Sequence, residues 1–241
     1  MPVALITGGA SLICEGMTKC LVARGWHVIV SDIDLAGAEH VASLAQGPGK
    51  AEACQLDATR GPDAKALVAR ILAEHGAIDG LVNAAGGARG LGFKKMPFVE
   101  MNPDYWTRQL DVNLNSMLNV THAVLPAMIA AKRGAIVSVA AGRGLKGGAQ
   151  ASIYSAAKAA IIVFSQSIAQ EVGPFGVRVN TIAPGNAEAR WKKEDLKEAR
   201  SPLGRATNAE DVGKAVAFLL SDEASHITGA CLDISGGTSL H

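Results

Sequence analysis

The sequence predicts an α/β fold: a doubly wound, mainly parallel sheet of seven strands with helices on both faces, in a single domain over 1–241. Two observations carry this reading. Short apolar runs rich in β-branched residues alternate with longer helical patterns along the whole chain. Hydrophobic residues make up 49% of the chain and charged residues 19%, with 27 glycines between the runs, a composition that suits a buried sheet joined by tight turns. A chain of 241 residues is long enough to bury most of its apolar surface in one core.

Val3 to Thr7 is all apolar up to its last residue and reads as a buried strand, followed by a glycine turn and a helix through about Arg24. His27 to Ser31 is the second strand, with a helix from about Asp34 to Gln46. Ala51 to Leu56, Ile78 to Asn83, Ala135 to Ala140, Val177 to Ile182 and Ala230 to Ile234 continue the series. Helical patterns fall around 62–75, 103–131, 151–172 and 208–221. Two segments break the rhythm, Gly86 to Met101 and Gly185 to Leu203. Both follow strands whose carboxyl ends form the ligand edge of such a sheet, so they are expected to wall a substrate, with the substrate loop at about 186–203.

Charge and cysteine usage argue against several function classes without excluding them. With 23 basic and 22 acidic residues and a net charge of +1, no basic face for nucleic acid or an anionic membrane is expected. Cys14, Cys20, Cys54 and Cys231 follow no paired spacing, which argues for reduced thiols and a cytoplasmic setting. No charged leader and no long uninterrupted apolar run supports export or membrane spanning. The histidines, His27, His40, His75, His122, His226 and His241, do not fall at ligand spacing with carboxylates, so no metal is expected.

The chemistry-bearing residues gather where the strands end. Thr7-Gly8-Gly9-Ala10-Ser11-Leu12-Ile13-Cys14 joins the first strand to the first helix, where free amides and a helix dipole suit a pyrophosphate. Asp32, at the end of the second strand, is placed to accept from a ribose diol. Tyr154 and Lys158 stand four apart on a helical pattern, so both side chains share one face. An ammonium beside a phenol favours its ionised form, which brings a tyrosine toward acid/base work near neutral pH.

Added to these are Asp57, Asn83-Ala84-Ala85-Gly86, Asn113, Arg178-Val179-Asn180, Pro184-Gly185, and the late stretches at 202–205 and 228–229. In this order and spacing, from Val3 to Gly237, the chain resembles the short-chain dehydrogenase/reductase family of the compact, single-domain type. The resemblance implies a Rossmann-like NAD(P) domain and an NAD-dependent alcohol dehydrogenase or carbonyl reductase acting on a secondary alcohol or ketone. It implies Tyr154 as general acid/base, Lys158 as its electrostatic partner and a ribose ligand, and Asn113 as the residue that holds a water in the proton relay. Cofactor contacts are expected from Thr7, Gly8, Leu12, Ile13, Asp32, Asp57, Asn83, Ala84, Gly86, Tyr154, Lys158, Pro184 and Gly185, and Asp32 is expected to select NAD over NADP. Relatives pair through the helices at 103–131 and 151–172, which implies a homo-oligomer, a dimer or homotetramer.

The chain departs from the family pattern at three places. Leu12 and Cys14 replace two glycines of the turn, so they are expected to crowd the phosphate site or shift the helix unless Leu12 turns into the core. Cys14, near a helix start, is either a reactive thiol or a small buried filler. Ala141, thirteen residues before Tyr154, stands where the family carries a serine that bonds the substrate oxygen, and Ser138 faces the other side of its strand. Arg143 and Arg89 have two readings: a clamp for an anionic substrate, or two solvated charges. The alternative function is a dinucleotide-binding or regulatory protein with weak redox turnover.

Overall fold

The computed structural model describes residues 1–87, 92–185 and 201–239. Seven strands, β1 (Val3–Thr7), β2 (His27–Asp32), β3 (Lys50–Gln55), β4 (Gly80–Asn83), β5 (Gly134–Val139), β6 (Val177–Pro184) and β7 (Cys231–Ile234), form one sheet in the order β3-β2-β1-β4-β5-β6-β7. Every pairing is parallel, so all seven carboxyl ends lie on one edge. Crossovers leave β1 in opposite directions, toward β2 and toward β4, and this switch point is where such sheets open a ligand crevice.

Helices α1 (Leu12–Ala23), α2 (Leu35–Ser43) and α8 (Ala209–Leu220) cover one face; α3 (Gly61–His75), α5 (Ser116–Ala131) and α7 (Ser152–Val172) cover the other. β1 shows why both faces are apolar. Ala4 and Ile6 pack toward α1 and α8, whereas Val3 and Leu5 pack toward α3 and α5, so a fully buried parallel strand reads as an unbroken apolar run. The α1–α8 contact depends on missing side chains. A Cβ on Gly16 would lie 1.9 Å from the carbonyl oxygen of Ala209, and one on Gly213 would lie 2.2 Å from that of Gly16.

The long helical pattern at 103–131 is divided into α4 (Pro103–Leu110), a π-helical turn (Asp111–Asn115) and α5. A short helix, α6 (Gly142–Leu145), follows β5 and has no periodic signal in sequence because it is only four residues long. Residues 92–101 of the first irregular segment dock on α4. The Tyr105 hydroxyl accepts from the Lys94 amide at 3.0 Å and donates to the Lys94 carbonyl at 2.6 Å, and Phe98 stacks on Trp106. Residues 186–200 of the expected substrate loop lie outside the described residues.

The reading that the histidines keep apart from carboxylates is corrected by the fold. His27 and His75 both meet Glu52, because parallel pairing of β2 with β3 sets their amino-terminal halves side by side and α3 ends above them.

Candidate active site

The turn after β1 is shaped for a close ligand. Gly8 has φ +67°, and a Cβ there would lie 2.5 Å from the Ala85 backbone, so only glycine fits between the β1 and β4 tips. Asp32 braces the turn: one carboxylate oxygen accepts from the Ala10 amide at 3.0 Å and the other from the Asp34 amide at 2.9 Å. Leu12 and Ile13 open α1, where helical N–H groups have no carbonyl of their own helix to reach, and Ser11 supplies no side-chain cap. These donors, the left-handed glycine and the braced carboxylate fit a dinucleotide phosphate and ribose.

The two replaced glycines behave differently from each other. Cys14 does not crowd the site. It is fully buried beneath the turn, its thiol donates to the Gly8 carbonyl at 3.3 Å, and burial pushes its pKa up to about 12. It is therefore the inert filler and not the reactive thiol. In native protein at about pH 8 Cys14 is expected to escape iodoacetamide that labels it fully in denaturant, as read by peptide mass mapping. Stability attributable to this burial should fall only as pH rises above the ordinary thiol value of 9.0, where the unfolded chain alone ionises. Leu12 does not turn into the core. It is 47% exposed at the helix start, so the crowding expected of the pair can come from it alone.

At the tip of β4 the Asn83 amide is buried and donates to the hydroxyls of Thr121 at 2.9 Å and Ser138 at 3.2 Å. Ser138 is thus committed to the core and cannot serve as a substrate donor. The backbone from Ala84 through Gly86 is left to face the crevice, with Gly86 and Gly87 at φ +130° and +132°. Asn113, fully buried in the π turn, fixes this segment: its Oδ1 accepts from the Gly87 amide at 2.7 Å, and its Nδ2 donates to the carbonyls of Gln109 at 3.1 Å and Gly87 at 3.3 Å. Asp57 caps its own turn, accepting from the Thr59 amide and hydroxyl, beside a groove that also includes Ile33 and Arg60.

Tyr154 and Lys158 share the first turns of α7, both buried, with the ammonium 5.9 Å from the phenol ring centre. Lys158 Nζ donates to the Val139 carbonyl at 2.9 Å, which ties the pair to the tip of β5. Gly144 lets α6 lie directly on the Lys158 backbone, since a Cβ there would come within 2.7 Å of it. Residues of α6 also border a cleft of about 290 Å³, lined by Ala141, Arg143, Lys146, Pro184, Gly185 and Thr238 but not by Tyr154 or Lys158.

Ala141 is buried at the entry to α6, so its methyl meets the cleft where a hydroxyl is expected in the family. Arg143 is exposed and its guanidinium lies over Gly148, where a Cβ would meet it. Lys146 donates to the Thr238 carbonyl at 3.0 Å. Lys146 and Thr238 were not anticipated from the sequence; the only hint was that Lys146 lies five residues past Ala141. Arg89 lies outside the described residues.

Comparison with known proteins is consistent along the whole chain. A family model described as Enoyl-(Acyl carrier protein) reductase matches residues 8–239. The 3-oxoacyl-[acyl-carrier-protein] reductase FabG of Salmonella typhimurium is 36% identical over 241 residues, covering 98% of this chain and 96% of the relative. That of Thermotoga maritima is 35% identical over 242 residues, with the same coverage of 98% and 96%. Among solved structures, one described as a short-chain dehydrogenase/reductase from Burkholderia xenovorans superposes with TM-score 0.90 at 32% identity, covering 99% of this chain and 96% of the other. NAD+-bound xylitol dehydrogenase superposes with TM-score 0.87 at 27% identity, covering 98% of each chain. The family description and the relatives name two different reductions.

Proposed function

Because the chain belongs to the short-chain dehydrogenase/reductase family of nicotinamide-dependent oxidoreductases, we propose that it interconverts a ketone and a secondary alcohol with NAD(H). The observation that carries this reading is the buried Tyr154/Lys158 pair, held against the tip of β5 on the edge where all the strand carboxyl ends lie. Bound NAD(H) supplies or takes the hydride.

The chain's own residues do the rest. Tyr154 passes a proton between its phenolic oxygen and the substrate oxygen. Lys158, positioned by the Val139 carbonyl, stabilises negative charge developing on that phenol in a site shielded from water. Asn113 acts on the proton path and holds the Gly86–Gly87 backbone at the crevice wall. Arg143 and Lys146 give the cleft a positive rim, which favours a ketone carrying a carboxylate or phosphate. The relatives named 3-oxoacyl reductases act, by that name, on a keto group as well.

Asp32 supports NAD over NADP. Two backbone amides fix its carboxylate at the ribose end, and a 2′-phosphate about 4 Å from it would meet a repulsion of about 4 kcal/mol per charge pair at an effective dielectric of 20. Fluorescence titration is expected to show NADH binding more than about tenfold tighter than NADPH, and Asp32→Ser should narrow that gap. Failure of the protein to bind NADH at all would remove the enzyme reading.

The exposed Leu12 and the missing hydroxyl at Ala141 favour a second reading, a dinucleotide-binding protein with little turnover. NADH binding without ketone reduction would select it. We also place the protein in the cytoplasm, on its four free thiols, and as a homo-oligomer paired through α5 and α7, where Val163 is 61% exposed.

A further inference from the structure

At the edge of the sheet opposite Tyr154, three side chains from three elements converge. His27 opens β2, Glu52 stands within β3, and His75 is the last residue of α3. Glu52 Oε1 lies 3.6 Å from His27 Nε2 and 3.4 Å from His75 Nε2, and the three donor atoms all fall within 4.8 Å of one another. The two imidazoles meet edge to face with centroids 4.6 Å apart. The five steps of β2 from His27 to Asp32 span about 16 Å, so this cluster is separate from the dinucleotide crevice.

Two observations point to a ligand. His75 Nε2 is buried and makes no hydrogen bond, although a carboxylate oxygen is 3.4 Å away. Glu74 Oε2 is a second carboxylate oxygen near it, at 3.8 Å, and a buried ring nitrogen bonded to neither is left unsatisfied unless a ligand lies beside it. The spacing is the second observation. A tetrahedral ion with ligands at about 2.1 Å holds its donors about 3.4 Å apart, which matches both nitrogen–oxygen separations, while the two nitrogens, within 4.8 Å of each other, would be drawn together by the ion. The imidazoles are mostly buried, with side-chain exposures of 16% and 19%, whereas Glu52 is 49% exposed and gives an ion its entry from solvent.

We propose that His27, Glu52 and His75 bind one divalent transition-metal ion, Zn²⁺ by the donor set, as a structural clamp joining β2, β3 and the end of α3. Two imidazoles and a carboxylate supply three ligands, and water completes the tetrahedron on the exposed side. The clamp holds the carboxyl end of α3 onto the sheet and takes no part in hydride transfer.

Tag-free, full-length protein stripped with EDTA tests this by titration with Zn²⁺ and with Co²⁺. One ion per chain should bind with a Kd of about 10 μM or tighter, and Tm should rise by about 5–11 °C at a hundredfold excess over Kd. Co²⁺ should give tetrahedral visible bands without sulfur-to-metal charge transfer, although Cys54 follows Glu52 by two residues. Glu52→Gln and His75→Gln should each weaken Zn²⁺ about 100-fold while circular dichroism and NADH binding are retained. X-ray absorption of the zinc-loaded parent, which needs no variant, should show two imidazoles and only nitrogen and oxygen around the ion. Absence of saturable binding, equal affinity in the folded variants, or sulfur in the coordination shell would each overturn the proposal.

Discussion

Tyr154→Phe is expected to lower kcat by about 100- to 10,000-fold with NADH affinity nearly unchanged. The substitution keeps the buried ring and removes only the hydroxyl, which makes no hydrogen bond to a described residue. Stability should therefore move by less than about 1 kcal/mol, and the loss is attributable to proton transfer. Both steady-state and single-turnover rates of ketone reduction should fall together, because the phenol acts in the transition state and not in ground-state binding. A folded Tyr154→Phe protein that reduces ketones at the parent rate would mean that another group moves the proton.

The fold and the site were legible in the sequence to different depths. The central strands were plain because a parallel strand covered on both faces is buried along its whole length, as in β1, whereas the edge strand β3 alternates exposed positions with half-buried or buried ones. The placement of Tyr154, Lys158, Asp32 and Pro184 near one edge followed from their positions at strand and helix ends, whereas the roles expected of them came from the family resemblance. What pattern could not show is direction at a helix start. Leu12 and Cys14 are two residues apart, about 200° around a helix, so one faces solvent and the other the core, and composition alone treats them alike. Nor could spacing reveal that His27, Glu52 and His75 meet, since 25 and 23 positions separate them in turn and only the β2–β3 pairing closes the gap.

Restoring the hydroxyl at position 141 tests the same cleft in the opposite direction. Ala141→Ser is expected to raise kcat by about 100- to 1,000-fold, equivalent to about 2.7–4 kcal/mol of transition-state stabilisation, if the chain reduces ketones by the route proposed. The site allows it: Ala141 borders the cleft shared with Pro184 and Gly185, its backbone is extended at φ −169°, and a serine at the entry to α6 also suits a helix start. Ser138 offers no substitute, because its hydroxyl is buried against Asn83 and out of reach of a substrate. The gain should be mostly in kcat, since a hydroxyl that meets charge developing on the substrate oxygen binds the transition state more tightly than the ground state. Raised kcat with KM within a few-fold of the parent would establish that the native cleft works as a weakened reductase. An Ala141→Ser protein that folds, binds NADH and gains nothing would show that this oxygen is not where the native substrate reacts, and the binding or regulatory reading would then stand.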